Sequence, residues 1–305
     1  ILRAINNLQS DFQKVTGSLP NLLNQIPASQ SRLIIIGTVG TNSIIDELIK
    51  KKKINENELK GKREKYIIQN IKDFNGVSEM IVIAGSDKRG TIYGIYEFSK
   101  QIGISPWYYW ADVPVKQKES LYFKKGIYTD GEPAVEYRGI FLNDEEPSLG
   151  SWARATFGGI NSKFYEKVFE LILRLKGNYI WPAIWGKAFY DDDPENGVLA
   201  DEMGIVMGTS HHEPMALAQT DWHRYIKKNN LPNIWDYAKN SDVLQQFWKS
   251  GIERSKNWEK LVTVGMRGDG DEAMGDKTNI LLLEKIVKDQ RKIIEKVTGK
   301  KAEKT

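Results

Sequence analysis

The sequence predicts an α/β chain in two parts. Three observations carry that expectation. Short apolar runs of strand length, such as RLIIIGTVG at 32–40 and EMIVIAGS at 79–86, alternate with segments whose apolar residues recur at helical spacing. The rhythm is interrupted between 116 and 134, a stretch of Lys, Gly and Pro, and resumes beyond it in a more regular form. At 305 residues and 40% hydrophobic composition, the chain is long enough for two cores.

In the first part, Leu2, Ile5, Leu8, Phe12 and Val15 keep helical spacing. A strand at 32–40 is closed by glycines, 41–53 reads as a helix ending in KKK, and strand candidates follow at 65–71 and 79–86. GTIYGIYEFSKQIG then places Ile92, Ile95, Tyr96 and Ile102 near one helical face. These elements predict a small α/β domain over 1–125, an aromatic loop SPWYYWADVPV leaving it, and a linker at 126–134.

Residues 135–305 repeat strand then helix. EYRGIFLND, NYIWPAIW, GIVMGTSHHEP and KLVTVGMRGDG are the strands. NSKFYEKVFELILRLKGN is an amphipathic helix that Asn161 or Ser162 can cap and Gly177 can end, and 277–298 is a long helix. After each strand come polar or aromatic residues: Asn143, Asp144 and Glu145, then Trp185, then His211, His212 and Glu213, then Arg267, Asp269 and Asp271. In a parallel (β/α) barrel those ends share one face, where active sites lie. Four units are half of the usual eight, so the expectation is the first half of a (β/α)8 barrel that needs more chain to close. The opening, ILRAINNLQS, has no Met and already keeps a helical pattern, so the chain reads as cut from something longer.

Composition removes several classes. The net charge is +4 from 44 basic and 40 acidic residues, with the Lys excess in 50–65 and 287–304 and no basic face interleaved with aromatics, which argues against nucleic acid. There is no cysteine, so disulfides, thiolate metal sites and cysteine nucleophiles are excluded. No run of 18 apolar residues and no signal-like start is present. Nine Trp and thirteen Tyr suit carbohydrate rings as well as cores.

A cleft with several carboxylates, an Arg and two His suits acid and base catalysis on a polar substrate. Asp144 and Asp271, from different strands, could face each other across a glycosidic bond, and Arg267 could clamp an anionic group. The plainer readings are a solvated turn or helix cap for Asp144 and an ion pair with Asp269 or Asp271 for Arg267. No metal is expected, because adjacent His side chains diverge on an extended chain and no third ligand has a familiar spacing. GDGDEAMGD fails the calcium-loop pattern at Ala273 and Met274. GMRGDG is not a dinucleotide fingerprint, Arg267-Gly268-Asp269 is a chance tripeptide, and DDDPENG at 191–197 reads as a surface loop.

Taken in order, GTIYGIYEFSKQIGISPWYYWADVPV, EYRGIFLNDEEPSLGSWA, KGNYIWPAIW, ADEMGIVMGTSHHEPM and TVGMRGDGDEAM resemble glycoside hydrolase family 115, the xylan α-1,2-glucuronidases, along nearly the whole chain. The resemblance implies a multidomain inverting enzyme that removes glucuronic or 4-O-methylglucuronic acid from glucuronoxylan. Its catalytic (β/α)8 barrel would follow an N-terminal α/β domain. It implies Asn143 and Asp144 at the first strand end, Trp185 as an active-site aromatic, and His212 or His211 as the active-site His. Arg267 and Asp271 would belong to the uronic-acid pocket, with Asp271 acting on the attacking water, or Asp269 or Glu272 if the alignment slips. The general acid would lie beyond Thr305, so 1–305 alone would be inactive. No cofactor is implied, and the location would be secreted, periplasmic or cell-surface. The partners would be glucuronoxylan or its oligosaccharides and a possible homodimer, without nucleic acid or a membrane span. Two other classes remain: a carbohydrate-binding module without catalysis, and a hexosaminidase-like barrel glycosidase.

Overall fold

The computed structural model describes residues 1–27, 32–275 and 279–304. It divides into two units, the first made of 1–138 with 170–177 and the second of 139–169 with 178–305. It is an α/β protein.

Unit 1 contains α1 (Leu2–Thr16), β1 (Arg32–Thr38), α2 (Ser43–Lys50), β2 (Tyr66–Phe74), β3 (Val77–Gly85), α3 (Lys88–Ile102) and β4 (Ile127–Tyr128). Asn42 caps α2, its Oδ1 accepting from the N–H groups of Ile44 and Ile45, and Asp87 caps α3 by accepting from Gly90 N–H at 2.7 Å. The sheet order is β1-β3-β2-β4. β1 runs parallel to β3, but β2 and β3 form an antiparallel hairpin closed at Phe74 and Val77. The two residues between, Asn75 and Gly76, have φ of 48° and 81°, the doubly left-handed turn that suits a two-residue hairpin. Alternation along the strands feeds two layers. Ile67, Ile71, Met80, Val82 and Ala84 meet Ile45 and Leu48 of α2 in one core, while Tyr66 and Ile83 close on Gly94 of α3. The segment read as linker, 126–134, carries β4, which pairs with β2.

Unit 1 also holds buried charge. Asp11, fully buried, takes Arg174 Nη2 at 2.8 Å, and Arg174 Nε takes Glu170 at 2.8 Å. The guanidinium lies over the rings of Tyr96 and Tyr108, and Tyr108 OH donates to Glu170.

Unit 2 contains β5 (Gly139–Phe141), α4 (Leu149–Phe157), most of α5 (Ser162–Arg174), β6 (Tyr179–Trp181), α6 (Phe189–Asp192), α7 (Glu195–Met203), β7 (Val206–Met207), α8 (Gln219–Lys228), α9 (Tyr237–Ser255) and α10 (Ile280–Thr298). The strands are parallel and lie in chain order β5-β6-β7. Gly139 is required where it sits, since a Cβ there would meet the Tyr179 carbonyl oxygen at 1.8 Å. Trp222, Phe247, Trp248 and Ile252 of α8 and α9 share a core with Ile286 and Ile294 of α10.

Four details differ from the sequence reading. The fourth strand is reduced to one parallel bridge, Met207 with Lys260, followed by chain outside any strand. Residues 191–197 are mostly helical: Asp191 and Asp192 end α6 and pair with Arg224, and Asn196 of α7 is fully buried, its amide on the Phe189 carbonyl. Acidic and Pro residues there mark helix ends, with Asp193 oxygens accepting from the N–H groups of Ser162 and Glu195. At the end of α5 the left-handed residue is Lys176 (φ 60°), one place before Gly177, while Asn161 provides the cap at its start. The final helix begins at Ile280, and residues 277 and 278 of the expected span lie outside the described residues.

Replacing Asp11 with Ala leaves the Arg174 guanidinium buried beside a single carboxylate. A loss of about 3–5 kcal/mol in urea unfolding is expected, whereas Asp11→Asn, which keeps an acceptor, loses less.

Candidate active site

The three adjacent acids after β5 part company. Asp144 is buried at 2% exposure; its Oδ1 accepts from the backbone N–H of Ile184 at 3.1 Å and of Trp185 at 3.4 Å, and its Oδ2 has no hydrogen-bond partner among the described residues. Glu145 is exposed, and its N–H donates to Asn143 Oδ1 at 3.4 Å. Glu146 pairs with Arg154 and accepts from Ser151, which holds its carboxyl down at about 2. Like charges are tolerated because alternate side chains leave in different directions and only one is desolvated.

Trp185 is therefore held through its own backbone by Asp144, and its indole is 55% exposed. An exposed indole over a strand end is a stacking surface for an apolar ring face.

After β7 the chain turns at His211 and His212 instead of extending, so the two rings do not diverge. Their centroids are 5.1 Å apart and both reach Asp271. His211 Nε2 lies 3.1 Å from Asp271 Oδ2, with Nδ1 against Ser210 Oγ at 3.1 Å. His212 is buried, its Nδ1 is 3.9 Å from Asp271 Oδ1, and that nitrogen has no hydrogen-bond partner among the described residues. Burial first, then the positive charges of His211 and Arg267, lower the pKa of His212 against the pull of Asp271, so its imidazole is neutral near pH 7.

Asp271 sits in a tight loop. Gly270 and Asp271 both have positive φ, 79° and 66°. Gly268 N–H donates to the Glu272 carbonyl at 2.9 Å, and a Cβ on Gly268 would lie 2.6 Å from the Ala273 oxygen. Arg267 folds back on the loop, with Nη2 donating to the Asp271 carbonyl at 2.8 Å and Nε 2.6 Å from Oδ1 as an ion pair off the hydrogen-bond direction. Desolvation raises the Asp271 pKa, but the His211 hydrogen bond and the charge of Arg267 beside it outweigh that, so the group stays below its usual value and ionised.

The structure thus brings together His211, His212, Arg267 and Asp271. It gives Asp144 to the Trp185 backbone and leaves Asn143 and Glu145 exposed beside it. Asp269 is drawn elsewhere, its Oδ2 2.9 Å from His223 Nε2. The side-chain ligand atoms of His211, His212 and Asp271 lie within 4.8 Å of one another, close enough for a metal ion. A cation there would have to compete with Arg267, which already supplies positive charge at Asp271.

Glu213, named in the sequence among the residues after the third strand but given no role there, is a further functional candidate. It is 2% exposed and accepts from Gln219 N–H at 3.2 Å through Oε1. It lines a small cavity with Thr209, Tyr190 and Asp221. Burial, with Asp221 and Asp144 adding to it, pushes its carboxyl up to about 8. Its place after His211 and His212 marks it in the sequence; its burial, which sets its chemistry, does not show there.

The sequence model of glycosyl hydrolase family 115 matches residues 130–305. A solved structure described as a novel family GH115 4-O-methyl-α-glucuronidase, BtGH115A, with specificity for decorated arabinogalactans, is 33% identical to this chain with a TM-score of 0.82. The match covers 97% of this chain and 38% of that one. Among curated proteins no match is found. Among the described residues, no helix is long and apolar enough to cross a membrane.

An acid that folds with a raised pKa binds its proton more tightly than the unfolded chain does. Stability is therefore expected to fall as pH climbs from about 4.5 to about 8, by on the order of 4 kcal/mol from this group. Thermal unfolding across that window checks it: Glu213→Gln should lessen the decline, matching the parent at pH 4 and exceeding it at pH 8.

Proposed function

The chain belongs to glycosyl hydrolase family 115, and from that premise we propose that the protein is an α-glucuronidase acting at the cluster of Asp271, Arg267, His211 and His212. The observation that carries this is the family match over the residues that build the cluster, 130–305. The substrate is a polysaccharide bearing glucuronic or 4-O-methylglucuronic acid, such as glucuronoxylan or a decorated arabinogalactan. A polymer of that kind is met outside the cytoplasm, so the protein works secreted, periplasmic or at the cell surface.

The fold supports the reading. We take β5, β6, β7 and the Lys260 position as the first four strands of a (β/α)8 barrel, since they are parallel, in chain order and joined by helices. Their carboxyl ends carry Asp144, Trp185, the two His and the Arg267 loop.

Each residue then has a task. The uronate carboxylate binds Arg267 and the His211 edge, because a guanidinium fork matches a carboxylate. His212, neutral and with a free ring nitrogen, meets a sugar hydroxyl. Trp185, exposed and pinned by Asp144, stacks on the sugar ring. Asp144 is thereby a holder of Trp185, with its Oδ2 buried and unpaired among the described residues, and Asn143 and Glu145 flank it. Asp271 orients and deprotonates the attacking water, opposite an acid roughly 6.5–9.5 Å away in the inverting arrangement. An ionised carboxylate clamped by Arg267 is a weak base. When the substrate anion takes Arg267, that clamp loosens and Asp271 becomes more basic at the moment it is needed.

The test is to incubate the full-length protein with glucuronoxylan and with uronic-acid-bearing arabinogalactan and identify the sugars released. Free glucuronic or methylglucuronic acid is expected, with release slowed about 10²–10⁴-fold in Asp271→Asn. Release by that variant at the parental rate would remove Asp271 from the chemistry, and no uronic acid from either polymer would remove the activity. Polymer binding without release would instead point to a carbohydrate-binding role.

A further inference from the structure

Two histidines that follow β7 each hold one aspartate of the Arg267 loop. His211 takes Asp271, and His223, in the second turn of α8, takes Asp269 through Nε2 and Oδ2 at 2.9 Å. Only Gly270 separates the two aspartates. The loop's other bonds are largely internal: Gly268 N–H to the Glu272 carbonyl, and Arg267 to the Asp271 carbonyl and carboxylate. One further tie is external, from Trp235 Nε1 to the Arg267 carbonyl at 2.8 Å.

That arrangement leaves a problem. An aspartate in the left-handed region is strained relative to ordinary backbone, and it follows a glycine that is also left-handed. His211 cannot solve it alone, because its nitrogen is one of the groups that a bound anion would recruit. Something outside the reacting cluster has to hold the loop while Arg267 and His211 change partners.

We propose that His223 and Asp269 form a positioning clasp that keeps Asp271 and Arg267 in place in the reaction set out above, on which this inference rests. Neither residue touches substrate. The sequence offered Asp269 as a substrate-side alternative to Asp271; in this proposal its carboxylate serves His223 of α8 instead. The pair is half exposed, His223 at 51% and Asp269 at 34%, so it adds little to global stability. Its effect is local, on a loop whose own backbone does not favour the required shape.

Four variants of the full-length protein test it: His223→Ala, Asp269→Ala, the double variant and Asp269→Asn. Each alanine variant is expected to lower kcat about tenfold with KM changed less and Tm unchanged, since a misplaced catalytic group mainly costs turnover. The double variant should be no worse than either single one, because both remove one interaction. Asp269→Asn, which keeps an acceptor for the imidazole, should recover most of the rate. Parental kcat in the single variants, losses that multiply in the double one, or a rise in KM alone would overturn the clasp, the last by returning Asp269 to the substrate pocket. If the parent releases no uronic acid, the activity reading fails and amide exchange decides the clasp separately. Exchange across 267–272 should rise about tenfold in His223→Ala while α9 and α10 are unaffected, and unchanged exchange in that loop would overturn it.

Discussion

Parallel pairing in chain order is the constraint on which the second unit depends. Ile140 faces Ile180, Ile180 faces Met207, and Met207 bridges to Lys260. Because the strands all point the same way, the residues after each one arrive at the same end, however far apart they are in sequence. Asp144 reaches the backbone of Ile184 and Trp185, and His211 reaches Asp271 sixty residues on. The strands themselves are only two or three residues long, so they fix position with few bonds and leave the loops to make the chemistry.

The loops make it by balancing charge. Asp271 is ionised because the His211 hydrogen bond and the Arg267 charge hold it so, and His212 is neutral chiefly because it is buried. Glu213, one residue after His212 and buried with the charges of Asp221 and Asp144 near it, goes the other way and holds its proton to higher pH. At Asp271, His212 and Glu213 the environment sets three different protonation behaviours, and each follows from which charges are near and how much water remains.

Much of this was legible in the sequence. Strand runs, the Asn161 cap and the recurrence of polar residues after each strand are local signals, and local signals survive folding. What was missed depends on pairing or on turns. The Asn75-Gly76 hairpin makes β2 antiparallel, a pairing that the strand candidates at 65–71 and 79–86 left open. The acidic run 191–197 read as a loop because its carboxylates cap and end helices, a use that polarity alone does not reveal. The adjacent His rings were expected to diverge because an extended chain was assumed, and a turn at 211–212 sends both to Asp271. Asp269 and Asp271 look equivalent in the sequence, and only the positions of His223 and His211 separate them.

That last distinction bears on how such a site can work at all. A carboxylate that must act as a base has to be ionised before substrate arrives yet not neutralised so firmly that it cannot take a proton. Here the neutralising group, Arg267, lies on the same short loop as Asp271 and is also the best match for an anionic sugar. Substrate charge would then replace the charge of Asp271 at the guanidinium, leaving the aspartate freer to take a proton. Such an exchange is productive only if the backbone carrying both residues stays still while their side chains change partners. The ties to Trp235 and α8 lie outside the exchanging groups, where they would supply that stillness.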